Sequence, residues 1–98
     1  MLNLLKAAFA VPAGDATAKA VLTYLILNSK NVDGKVYHAS SIGKIAAGCE
    51  TTRNSVSSKT MQLEARGIIT IENHLNGNGV IISKTYVINK EFLLSLAK

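Results

Sequence analysis

Apolar positions in this chain follow two periods, and the alternation between them predicts its elements. Leu2, Leu5 and Phe9 lie at near-helical spacing, which predicts a short amphipathic helix over residues 2–10. Pro12 and Gly14 break it, because proline lacks the amide hydrogen a continuing helix needs. Asp15 is placed as an N-cap, where a carboxylate accepts from the free amides of a first turn. Ala18, Val21, Leu22, Leu25 and Ile26 then recur at three- and four-residue steps, the mark of a helix with one core face. Asn28, Ser29 and Asn31 end that helix, and Asp33-Gly34 makes a turn. Lys35-Val36-Tyr37-His38 is a short β-like run, read as a lone strand that pairs with a later hairpin.

Helical periodicity then returns. Ser40 or Ser41 caps a helix over residues 42–47 with Ile42, Ile45 and Ala46 inward, and Gly48 lets the chain turn. Thr51 or Thr52 caps a longer helix, over about residues 52–66. Val56, Thr60 and Leu63 form its core face, and Gly67 is placed to end it in the left-handed conformation. Residues 68–72 and 80–88 are β-branched and partly alternating, which is strand chemistry. Two successive Asn-Gly pairs between them predict a hairpin over about residues 68–88, with its tip at residues 74–78. Asn89 caps a last helix over residues 90–97, with Phe92, Leu93 and Leu96 along one side.

The order is helix, helix, strand, helix, helix, strand, strand, helix. Within it stand Ile45-Ala46, then Thr52-Arg53-Asn54-Ser55-Val56, then Leu63-Glu64-Ala65-Arg66-Gly67-Ile68-Ile69. This resembles the winged helix-turn-helix family of bacterial, plasmid and phage DNA-binding proteins. A similar run there reads I-A, then S/T-R-x-T/S-V, then L-E-x-x-G-L/I-I. The resemblance covers residues 15–88 and implies an α+β fold, mainly α: a three-helix cluster closed by a β-hairpin wing. Residues 1–11 and 89–98 add a helix at each end of a single domain spanning residues 1–98. Three positions depart from the family pattern. Glu50 stands where glycine is frequent, Thr51 where valine or isoleucine is, and Thr60 where leucine is, a loss of core that Met61 could make good.

The resemblance implies a recognition helix in the major groove, the groove that admits an α-helix. Arg53 would address guanine, Asn54 adenine, and Ser57 and Ser58 bases or phosphates. Thr51 and Thr52 suit a phosphate oxygen, and Lys44 and Lys59 neutralise phosphates, with Ser41 beside them. The wing would reach backbone or minor groove through His74, Asn76, Asn78 and Lys84.

Charge agrees with this direction. The net charge is +5, which favours an anionic partner. The excess concentrates in residues 35–66, where Lys35, Lys44, Arg53, Lys59 and Arg66 face only Glu50 and Glu64. Cys49 is the only cysteine, so no internal disulfide forms, and a reducing cytoplasm is expected. No apolar run approaches the roughly 18–20 residues of a membrane span. The N-terminal stretch lacks a basic start and is interrupted by Lys6, unlike a secretory leader.

Catalysis is not expected. His38, His74, Cys49 and Glu50 show no metal-ligand spacing, and there is no glycine-rich phosphate loop or nucleophile elbow. No cofactor, metal or small-molecule ligand is implied. Hydrophobic residues make up 48% of the chain, a large supply for a small core. Leu2, Leu5, Phe9, Phe92, Leu93 and Leu96 either pack on their own domain and complete its core or hide the surplus in a homodimer that reads a repeated DNA site. Sequence-specific duplex binding is thus the leading expectation, in transcription or in plasmid or phage replication, partition or transfer. A protein-interaction module and a non-specific nucleic-acid binder are the alternatives.

Overall fold

The computed structural model describes residues 2–10 and 13–96, without the side chains of Leu2, Asn3 and Ile82. The expected break at Pro12 and the end of the last helix at Ala97 lie outside the described residues. Helix α1 spans Leu2–Ala10 and α2 Ala16–Leu27. Strands β1 (Lys30–Val32) and β2 (Lys35–Ser40) follow, then α3 (Ile42–Gly48) and α4 (Arg53–Ala65). Strands β3 (Ile69–Leu75) and β4 (Ile81–Ile88) lead into α5 (Lys90–Leu96). The fold is α+β, with a four-stranded antiparallel sheet in the order β1-β2-β4-β3.

Helix α2 is the hub. Asp15 Oδ1 accepts from the Ala18 amide at 2.8 Å, and the five apolar positions read from the sequence are all fully buried. It packs against α1, α3, α4 and β2. The sheet lays one face on this cluster. Val36, Ile88 and Ile69 line up across β2, β4 and β3, and all three are buried. His38, Tyr86 and Ile71 form the next row, with the Tyr86 hydroxyl buried and unpartnered.

The expected lone strand is half of a second hairpin. Val32 pairs with Lys35 around Asp33 (φ 52°) and Gly34 (φ 82°). Two consecutive left-handed residues define the tight turn whose twist suits a β-ribbon. Lys30–Val32 escaped the sequence reading because it is three residues long and wholly exposed, with no alternation to show.

Helices α3 and α4 end with the same device. After α4, Ile68 N donates to Leu63 O and Gly67 N to Glu64 O, with Gly67 at φ 79°. After α3, Thr51 N donates to Ala46 O and Glu50 N to Ala47 O, with Glu50 at φ 54°. Both are left-handed caps that satisfy the last free carbonyls. The turning residue after α3 is therefore Glu50, not Gly48. Gly48 is needed small for another reason: a Cβ there would lie 2.2 Å from Cε2 of Tyr24.

The terminal helices also differ from expectation. The buried face of α1 is Leu4, Ala7 and Ala8, with Leu5 half-buried, while Phe9 is 64% exposed. Leu2's side chain lies outside the described ones. Helix α5 packs on α1 of the same chain, and Leu93 is fully buried there, so it is core rather than interface. The Asn89 carbonyl takes the Leu93 amide, but its side chain donates to Gly67 O and accepts from Thr70 Oγ1. Asn89 thus ties α5 to the end of α4.

Candidate nucleic-acid interface

Helix α4 begins at Thr52, whose Oγ1 accepts from the Ser55 amide at 3.1 Å. Thr51 and Glu50 form the approach to it. Val56, Thr60 and Leu63 are buried as the spacing requires. Thr60 satisfies its hydroxyl by donating to Ser57 O at 3.1 Å. Met61 does not join Thr60 in the core: it is 63% exposed. The reason is angular, since Met61 lies seven residues, or two turns, from Asn54 on the outer face. Asn54, Ser58, Met61 and Ala65 form one exposed stripe, with Ser57 half-buried at its margin.

The two flanks of α4 diverge chemically. On the flank toward α2, Lys59 is ion-paired with Asp15, and the lysine side chain is largely covered. The Lys59 hydrogen bond, then the Ala18 amide, hold the Asp15 carboxyl below its ordinary range. The charge of Lys59 is therefore committed within the chain, which departs from the expected phosphate contact. On the other flank, Glu64 Oε2 accepts from the Ile71 amide at 3.0 Å and anchors α4 to β3. Arg53 leans the same way, against α3. A Cβ at Gly43 would stand 3.0 Å from Arg53 Nη2 and 3.2 Å from its Nε.

Arg53 opens into a cleft of about 210 Å³ between α3, α4 and β4. Ser40, Ser41, Gly43, Ser83 and Lys84 line it with Arg53, and among the described residues no acidic one does. Ser41 Oγ accepts from the Lys44 amide, and Lys44 itself is exposed on α3. The side chains of Arg53, Lys44 and Lys84 have no hydrogen-bond or ion-pair partner among the described residues. Lys35, by contrast, pairs with Glu72 at 3.3 Å.

The hairpin tip lies further out than expected. Strand β3 runs on to Leu75, with a bulge between His74 and Leu75. His74 pairs with Ser83, and its Nε2 is hydrogen-bonded to Thr85 Oγ1 at 2.7 Å, so it is held on the sheet rather than at the tip. The tip is built by Asn76. Its Oδ1 accepts from the Asn78 and Val80 amides, and its carbonyl accepts from Gly79 N. Gly79, at φ 78°, is the left-handed residue of this three-residue turn with a bulge. Asn78 is exposed there, beside the outward Leu75, Val80 and Ile81.

Sequence reading missed Gly43, Ser40 and Ser83 because the cleft joins residues from separate elements. The signal for Met61 was present in its helical offset from Asn54. Among the described residues no group of three or more His, Cys, Asp or Glu could hold a metal ion. Burial raises the Cys49 thiol above its ordinary value, which keeps it protonated and a weak nucleophile. No described helix is long and apolar enough to cross a membrane. No family model, curated protein or solved structure matches the chain.

Proposed function

We propose that this chain is a non-catalytic, sequence-specific double-stranded DNA-binding protein of winged helix-turn-helix type. Helix α4 enters the major groove, and the β3–β4 hairpin lies on backbone or minor groove. The observation that carries this reading is the joining of α4 to β4 by a cleft holding two uncompensated cations, Arg53 and Lys84, beside an exposed polar stripe. Cations without internal partners on one surface favour a polyanion, and a helix with small polar side chains lets its backbone approach bases. The protein acts in the cytoplasm as a homodimer on a repeated site. Its role is to occupy DNA, as a transcriptional regulator or as an accessory in plasmid or phage replication, partition or transfer.

The test is binding to the DNA flanking its own gene and to a scrambled duplex, across a series of salt concentrations. A preference for the flanking DNA that survives added salt is the expected result. Equal affinities that vanish together mean that only the backbone is read. Absence of binding at low salt overturns the proposal in favour of a protein-interaction module. The outward Met61, Leu75, Val80 and Ile81 are the observation that favours that second reading.

A further inference from the structure

We propose that the cleft between α4 and the hairpin is a phosphodiester site gripped by Arg53 and Lys84. Base discrimination then falls to the stripe of Asn54, Ser58 and Met61. The inference rests on the DNA-binding reading above and divides the labour within it.

The polar groups of the cleft converge on one kind of ligand. Arg53 and Lys84, two cationic residues from different elements, line a space of about 210 Å³ with no carboxylate among the described residues that line it. Like charges placed together repel, and a bound anion relieves them both. Ser41 has its oxygen engaged by the Lys44 amide, which leaves its hydroxyl hydrogen to donate outward. Ser40 and Ser83 line the same space. The ligand must therefore accept hydrogen bonds and carry negative charge, as a phosphate oxygen does.

Gly43 explains why Arg53 belongs to the cleft. The guanidinium lies across this residue, with Nη2, Nε and Cζ between 3.0 and 3.3 Å from where a Cβ would stand. A Cβ there would push it aside by a few tenths of an ångström. So placed, Arg53 is drawn back over α3 at the first turn of α4 and away from the outer stripe. The stripe instead presents an amide, a hydroxyl and a thioether on successive turns, opposite the buried Val56, Thr60 and Leu63. An amide matches adenine in the major groove, and an apolar side chain matches the thymine methyl group.

The full-length chain and variants are titrated with the preferred and scrambled duplexes at several salt concentrations. Arg53→Gln and Lys84→Gln are each expected to weaken both duplexes alike, by about three- to tenfold. The slope of log affinity against log salt should become shallower by about 1. Gly43→Ala should weaken both duplexes in the same way, through its effect on Arg53. Asn54→Ala and Met61→Ala should lower affinity for the preferred duplex by about fivefold or more and leave the scrambled one unchanged. The urea midpoint of each variant checks that it remains folded. Loss of sequence preference in Arg53→Gln with an unchanged salt slope overturns the inference while leaving DNA binding intact. A wild-type chain that binds neither duplex overturns both.

Discussion

Glu50 and Gly48 stand two residues apart and carry opposite constraints. Glu50 occupies a left-handed backbone position that costs a residue with a Cβ about 1–2 kcal/mol. Glycine would remove that cost but lose about 0.5–1 kcal/mol through its freer unfolded chain. Glu50→Gly is therefore expected to raise stability slightly, by about 0.5–1 kcal/mol. It also removes a negative charge from the approach to α4, so duplex affinity should rise. Gly48→Ala should do the reverse. Its Cβ would collide with the Tyr24 ring, which is already set edge-on to His38 with centroids 5.6 Å apart. Overpacking of this kind costs about 1–3 kcal/mol. Urea midpoints of the two variants, measured together, check both signs. An unchanged Gly48→Ala midpoint would mean that Tyr24 swings aside freely.

At the scale of elements, α4 is anchored at several places. Glu64 ties it to β3, Asn89 ties its end to α5, and Lys59 ties its flank to the Asp15 cap of α2. The last tie is pH-dependent. The folded-state pKa of Asp15 is lowered, so its contribution is present above the unfolded value and is lost as pH falls through the folded one. The wild type should lose stability more steeply than Asp15→Asn between about pH 5 and pH 2. Asparagine keeps the capping oxygen and removes only the charge, so the urea midpoints of the two should converge in strong acid. A constant difference across that range would assign the contribution to the cap alone. The hairpin shows how far element-level reading reaches. The Asn-Gly signal located a turn, yet Gly79 rather than Gly77 is left-handed, and His74 belongs to the strand. Turn chemistry marks where a chain reverses, whereas strand pairing sets how far the ladder extends.

At the scale of the whole molecule, the apolar surplus is partly absorbed. Leu4, Ala7, Ala8 and Leu93 complete the core, and α1 packs on α5. Phe9, Phe92 and Leu96 remain exposed, and they are what a proposed dimer has left to cover. The chain is 31 Å across its middle axis. The protein is expected to sediment as a dimer, with Phe92→Asp shifting it to monomer. A well-folded wild-type monomer at high micromolar concentration would rule the dimer out.

The local rules were legible without any structure. Helical spacing named all five core residues of α2 and all three of α4, the caps at Asp15 and Gly67 stand where residue chemistry put them, and the structure takes Ser41 over Ser40 and Thr52 over Thr51. Each of those depends on residues within one or two turns of each other, which a linear pattern records. What the pattern could not carry was contact between distant elements. The pairing of β1 with β2, the diversion of Lys59 to Asp15, the burial of Leu93, and the cleft that joins Arg53 to Lys84 are all set by tertiary packing. A lysine or arginine reads the same in sequence whether its charge is spent inside the fold or left for a partner. Only the folded chain, by bringing some carboxylates to some cations and not to others, decides which charges remain to meet a partner.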